Sequence, residues 1–161
     1  MNQVQQILDT PLGWMVVKGT AEHITHANWV PEDSLTIGHG TAPAPWKNAV
    51  QAQVKEYFEQ KRNHFSLPLN PAGSEFQMLV WDQIRSIDFG STRSYADILG
   101  PDHAQAVGGA TGANPILLFI PCHRLVGSDG DLTGYAAGID RKEELLKLEG
   151  AHMAQQLSLF S

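Results

Sequence analysis

The sequence predicts an α/β (α+β) protein in two parts, a small strand-bearing N-terminal half and a mainly helical C-terminal half. Three observations carry this prediction. A hairpin pattern occupies residues 10–30, helix-period apolar faces follow from Lys47 onward, and Leu67-Pro68-Leu69-Asn70-Pro71-Ala72-Gly73 breaks all regularity between the halves. The predicted parts are residues 1–70, residues 73–150 and a polar tail, residues 151–161, which suits a chain of 161 residues.

In chain order, Thr10-Pro11-Leu12-Gly13 opens the hairpin. Trp14-Met15-Val16-Val17 and residues 24–29 supply its strands, with Lys18-Gly19-Thr20 near the turn. The Gly- and Pro-rich residues 31–45 read as a loop or weak edge strand. Val50, Val54, Tyr57 and Phe58 then share one face of a helix over residues 47–62. In the second half, Ser74 caps a helix whose apolar face holds Phe76, Leu79, Val80, Trp81, Ile84 and Ile87. Ser94 caps a short helix from Tyr95 to Leu99, closed by Gly100-Pro101, and Asp102 caps another running to about Thr111. Two short helices around a tight turn make a helix-turn-helix pattern. The second is built of small residues, Ala104, Ala106, Gly108, Gly109 and Ala110 among them. Composition favours close packing against a neighbour; a thin helix that enters a DNA groove is the other reading. Gly127-Ser128-Asp129-Gly130-Asp131 is a turn and residues 132–138 a glycine-flanked loop. Asp140, with Glu143 three positions on, reads as the start of a last helix, buried through Leu145, Leu146 and Leu148 and stopped by Gly150.

Chemistry concentrates where the apolar run 116–120 meets Pro121-Cys122-His123-Arg124. The run reads as a buried strand, and Pro121 ends its ladder because it lacks a backbone donor. Cys122 is the chain's single cysteine. A lone thiol is usually a small buried hydrophobe, but the adjacent His123 and Arg124 are two potential cations that would favour a thiolate. Neighbours on an extended chain point opposite ways, so His123 needs a turn or a bridging water to take the thiol proton, and its other nitrogen needs an acceptor. Glu149 stands at a helix C-terminus where the dipole disfavours a carboxylate; such a misplaced charge suggests a specific partner, and a solvated Glu is the commoner reading.

Bulk properties restrict the possibilities. A net charge of −6 argues against non-specific nucleic-acid affinity, which rests on Lys and Arg. The single cysteine excludes an internal disulfide and a Cys-rich zinc site. No apolar run approaches membrane-spanning length and the first residues carry no signal core, so a cytoplasmic location is expected.

The chain resembles the O6-alkylguanine-DNA alkyltransferases (methylated-DNA–protein-cysteine methyltransferases). The resemblance rests on Pro121-Cys122-His123-Arg124, on Asn114-Pro115 eight and seven residues before the cysteine, and on Gly134-Tyr135 with Gly138. It extends to Arg141-Lys142-Glu143, Leu145-Leu146 and Glu149-Gly150, and upstream to Phe76-Gln77, Val80-Trp81, Ser94-Tyr95 and Ala106-Val107-Gly108-Gly109-Ala110. It covers roughly residues 73–150 closely; the first 70 residues match only loosely. It implies a ribonuclease-H-like N-terminal half and a winged-helix-like C-terminal half, and direct repair of alkylated guanine, with O4-alkylthymine a further substrate of the same chemistry. The catalytic set it implies is Cys122 as acceptor, His123 as base through a water, Glu149 to orient His123, Asn114 to brace the site and Tyr95 to protonate the leaving guanine. The implied DNA- and substrate-binding set is Gln105, Arg124, Ala106, Gly108, Gly109, Tyr135, Val126 and Ser94. It implies no cofactor, double-stranded DNA as partner, and a monomer.

Two positions depart from the family pattern. Gln105 stands where the family has an intercalating arginine, and Ala137 where it usually has glycine. Residues 73–150 hold six Lys/Arg against eleven Asp/Glu, leaving that half at −5, so weak and salt-sensitive DNA binding is expected. The zinc site of some relatives is not expected, because His23, His26, His39 and His64 have no cysteine beside them. At the C-terminus, Gln156-Leu157-Ser158-Leu159-Phe160 resembles the peptide that docks bacterial proteins on the sliding clamp; a tail end packed on its own core is the competing reading. At the level of function, the alternatives are a non-catalytic lesion-recognition protein and a redox-sensing helix-turn-helix regulator.

Overall fold

The computed structural model describes residues 3–38, 40 and 42–151. The fold is α+β and divides into two compact units. The first takes in the described residues up to Ala72 together with Pro115–Phe119, the second Gly73–Asn114 together with the described residues from Ile120 onward. The stretch 115–119, read from sequence as part of the second half, therefore packs in the first unit.

In the first unit, β1 (Val4–Thr10), β2 (Gly13–Gly19) and β3 (Ile24–Val30) form an antiparallel meander in that order. The predicted hairpin is thus the second half of a larger sheet. β1 was hidden because its apolar residues are interrupted by Gln5 and Gln6. Gln5 is buried because its side-chain amide donates to the Thr36 carbonyl and its backbone N–H to that of Gly40. At the β1–β2 turn, the Thr10 hydroxyl donates to the Gly13 carbonyl and accepts from the Trp29 indole. α1 (Pro45–Phe58) packs on β1 through a buried face of Trp46, Val50, Gln53, Val54 and Tyr57. The outer edge of β3 makes isolated parallel bridges from Ile24 to Leu69 and from Ala27 to Ile116. Only that much of the expected 116–120 strand is ladder: Leu118 has φ 74°, which bends the chain away from extended geometry.

In the second unit, α2 (Glu75–Arg85) begins at a reciprocal capping box between Ser74 and Gln77. Its buried face, Val80, Trp81 and Ile84, is narrower than the pattern indicates, since Phe76 and Leu79 are exposed. β4 (Arg93–Ser94) leads into α3 (Tyr95–Leu99), which Ser94 and Asp97 cap in the same reciprocal way. Gly100 turns the chain at φ 94° and a 3-10 turn fills Pro101–His103. α4 (Ala104–Gly112) therefore starts after His103 with no side-chain cap, and Asp102 does not cap it as predicted. α3 and α4 pack together as the expected helix-turn-helix, with α2 against α4. The Trp81 indole donates to the Ala110 carbonyl at 2.8 Å, tying α2 to α4. β5 (Leu125–Val126) pairs in parallel with β4. α5 (Ile139–Glu149) follows Gly138, so Asp140 lies in its first turn rather than at its cap, and Gly150 closes it in the left-handed region at φ 79°. No helix among the described residues is long and apolar enough to cross a membrane.

Candidate active site

Cys122 lies in a 3-10 turn, Cys122–Arg124, that follows the bend at Pro121. The turn answers the geometric objection that an extended chain raises, because consecutive residues no longer point to opposite sides. Cys122, His123 and Arg124 are all buried. The Cys122 N–H donates to the Ile120 carbonyl, and the Asn114 side-chain amide donates both to that carbonyl, at 2.9 Å, and to Cys122 Sγ, at 3.2 Å. One buried amide thus fixes the position of the sulfur.

Burial pushes the Cys122 thiol up to about 11, against the Asn114 hydrogen bond and the charge of Lys142, which favour the thiolate. The resting group at neutral pH is therefore a thiol that needs a base. The flanking cations expected from sequence do not supply the field. Arg124 donates to both carboxylate oxygens of Glu149 and to the Ile87 carbonyl, all within hydrogen-bond distance, and lies over the Phe89 ring. Every one of those partners is internal, so Arg124 is not the DNA contact that the motif implies. Its position in sequence gave no hint of its direction.

His123 meets Glu149 at 2.8 Å through Nε2, with both side chains fully buried. Burial lowers the His123 pKa below the ordinary 6.5, against the pull of Glu149, so the ring is neutral at pH 7. Burial opposes the ionisation of Glu149, but the His123 and Arg124 interactions outweigh it and hold the carboxyl at about 2. A neutral ring donating Nε2–H to a carboxylate carries its lone pair on Nδ1. Nδ1 is buried and has no hydrogen-bond partner among the described residues. That is the arrangement of a positioned general base.

A cavity of about 280 Å³ reaches the thiol, lined by Tyr95, Gly108, Thr111, Gly112, Cys122, Gly134, Tyr135 and Ala136. The Tyr95 hydroxyl donates to the Thr133 carbonyl at 3.3 Å, and burial raises its pKa, so it keeps its proton. The Tyr135 hydroxyl is buried without a partner among the described residues, and burial raises it well above the ordinary tyrosine value. Gln105, Ala106 and Gly109 are exposed on α4. A Cβ added at Gly108, Gly109 or Gly112 would meet nothing within 4 Å among the described residues, so close packing does not require glycine at these three positions, whereas Ala110 is buried against α2. Val126 is buried with Leu146 and Ala151, and Ser94, its partner in the β4–β5 pair, caps α3. Neither side chain lines the cavity; both hold the walls that do.

The sequence reading passed over Lys142, which donates from α5 to the carbonyls of Thr133 and Gly134. Its signal was its spacing: Lys142, Leu145, Leu146 and Glu149 fall on one helical stripe, and all four are buried. Thr111 and Gly112 were also missed as lining residues.

Two family models match the chain in order: the 6-O-methylguanine DNA methyltransferase ribonuclease-like domain over residues 4–71, and the DNA binding domain of the same proteins over residues 75–151. A methylated-DNA–protein-cysteine methyltransferase of Mycolicibacterium paratuberculosis is 38% identical over 159 residues, covering 95% of this chain and 96% of the relative. One from Methanosarcina acetivorans is 36% identical, covering 90% and 97%. The crystal structure of Mycobacterium tuberculosis OGT in complex with DNA superposes with a TM-score of 0.80 at 36% identity, over 91% of this chain and 92% of that one. Both halves match in sequence and the fold agrees: the chain belongs to the 6-O-methylguanine DNA methyltransferase family, the methylated-DNA–protein-cysteine methyltransferases.

Proposed function

We propose that this protein repairs DNA directly, by irreversible transfer of the alkyl group from O6-alkylguanine in double-stranded DNA to Cys122, each molecule acting once. The observation that carries this reading is the neutral His123, fixed by Glu149 with its Nδ1 lone pair available in the turn that presents Cys122. The target base reaches such a cavity only outside the duplex stack. The sulfur attacks the alkyl carbon in line, an S–C bond forms as the C–O6 bond breaks, and the thiol proton passes through a water to His123 Nδ1. Tyr95, which retains its proton at neutral pH, donates it to the departing guanine. A thioether is a poor leaving group, so the protein is consumed.

The exposed, small-residue face of α4 supports close approach to DNA, with Gln105 filling the gap left by the flipped base. Asn114 braces the sulfur, and Val126 and Ser94 support the pocket from the β4–β5 pair. The reading includes a cytoplasmic monomer. Docking on a sliding clamp through residues 156–160 is a separate element of it, and those residues lie outside the described ones. The test is stoichiometry: limiting protein mixed with excess O6-methylguanine duplex should remove one lesion per protein and stop. Binding of the lesion without its removal would establish the non-catalytic recognition reading instead, and DNA binding that depends on oxidation would establish the regulator.

A further inference from the structure

We propose that Lys142 is a positioning residue of the transfer site: its buried ammonium ties the pocket loop at Thr133 and Gly134 to α5 and so holds in place the cavity wall that Cys122 shares. The inference rests on Cys122 being the alkyl acceptor. Lys142 is fully buried, one of the largest side chains in the protein to be so. A buried ammonium is held only where partners replace its water. Here the partners are the Thr133 carbonyl at 2.7 Å and the Gly134 carbonyl at 3.2 Å. The Thr133 carbonyl also accepts the Tyr95 hydroxyl, so α3, the loop and α5 meet at one oxygen. The next residues of the loop, Gly134, Tyr135 and Ala136, line the cavity together with Cys122. The lysine therefore holds a wall of the pocket in place, and holds it by a charge.

The titratable groups that act on Lys142 or feel it are Cys122 and His123 of the turn, with Tyr95 on the shared carbonyl and the ionised Glu149 further along α5. Burial lowers Lys142 to about 8, against the opposing effect of Cys122. The charge is thus lost as pH rises through that value. A simple thiolate nucleophile becomes faster over the same range, so the two behaviours separate.

The experiment is single-turnover methyl transfer at saturating O6-methylguanine duplex, from about pH 6.5 to about 9.5, for wild type, Lys142→Met and Lys142→Arg. Relative to Lys142→Arg, in which Cys122 ionises in the same way, wild type should slow as pH rises through about 8. Lys142→Met should be slower at neutral pH by about tenfold or more, with DNA affinity within about twofold, and should lack the alkaline decline. Lys142→Arg, whose charge does not titrate there, should recover part of the rate and keep it at high pH. A Lys142→Met protein with wild-type rate and profile overturns the inference alone. So does a wild-type rate that keeps a constant ratio to that of Lys142→Arg across the whole range, a result that decides the matter even if Lys142→Met does not fold. Wild-type protein that transfers nothing overturns the alkyl-transfer reading, and this one with it.

Discussion

Glu149 does two things at once: one oxygen anchors Arg124 and the other anchors both Arg124 and His123, all in the protein interior. Removing one member of such a group leaves an uncompensated buried charge. Glu149→Gln should therefore cost about 3–5 kcal/mol of stability, measured by urea unfolding. The same change frees the His123 ring from its orienting acceptor and should slow methyl transfer by about 10²–10⁴-fold at pH 7 where the variant remains folded. Little loss in either measurement would remove Glu149 from the mechanism. Cys122, His123 and Glu149 were legible in the sequence as a single thiol, the ring beside it and a carboxylate at a helix C-terminus, whereas Asn114 came only with the family resemblance. Lys142 was not, because a lysine in Arg141-Lys142-Glu143 reads as part of a solvated face until the helix is placed. Arg124 misled for the opposite reason: a cation beside a thiol in sequence is directed by the 3-10 turn away to Glu149 and Ile87.

At the scale of elements, α4 is a helix weakened by its glycines. Gly109 is exposed and would meet nothing if it carried a side chain. Gly109→Ala should therefore stabilise the fold by about 0.5–1 kcal/mol, the ordinary helix preference, while weakening DNA binding by putting a methyl group on the surface that approaches the duplex. Thermal unfolding and a binding titration give the two signs; stabilisation with unchanged affinity would show that this face does not meet DNA. Gln105→Arg, one turn earlier, adds a donor-rich cation at an exposed position and should raise DNA affinity and repair rate. No change in either would mean that Gln105 has no part in opening the duplex. The helix-turn-helix was readable from the Ser94 cap and the Gly100-Pro101 turn, although the cap expected at Asp102 is not made. β1 was not, since Gln5 is buried by hydrogen bonds to Thr36 and Gly40 that lie far away in sequence. The bend at Leu118 was equally hidden, because nothing in an apolar run marks a residue with positive φ.

For the molecule as a whole, the buried ionisable groups set its response to acid. Glu149 is held at about 2 when folded against an ordinary 4.5, so its contribution is complete above 4.5 and is lost as pH falls toward 2. The shift corresponds to on the order of 3 kcal/mol. His123 acts with the same sign: its folded pKa is lowered from 6.5, so the unfolded chain takes up its proton first as pH falls. Stability should therefore decline from about pH 6.5 downward and fall most steeply below 4.5. Urea midpoints across that range check it, and a flat midpoint would contradict the buried network. Acidity also bears on binding. With a net charge of −6 on the chain, affinity for DNA should fall with added salt from a modest starting value.

All of this depends on Cys122 being the atom that accepts the alkyl group. The direct measurement is peptide mass analysis of the protein after incubation with O6-methylguanine duplex, beside Cys122→Ser. The structure predicts a single methyl-sized gain on the peptide that contains Cys122, stable to further incubation, and none anywhere in Cys122→Ser. Lesion loss without a gain on that peptide, or an equal gain in Cys122→Ser, would contradict it.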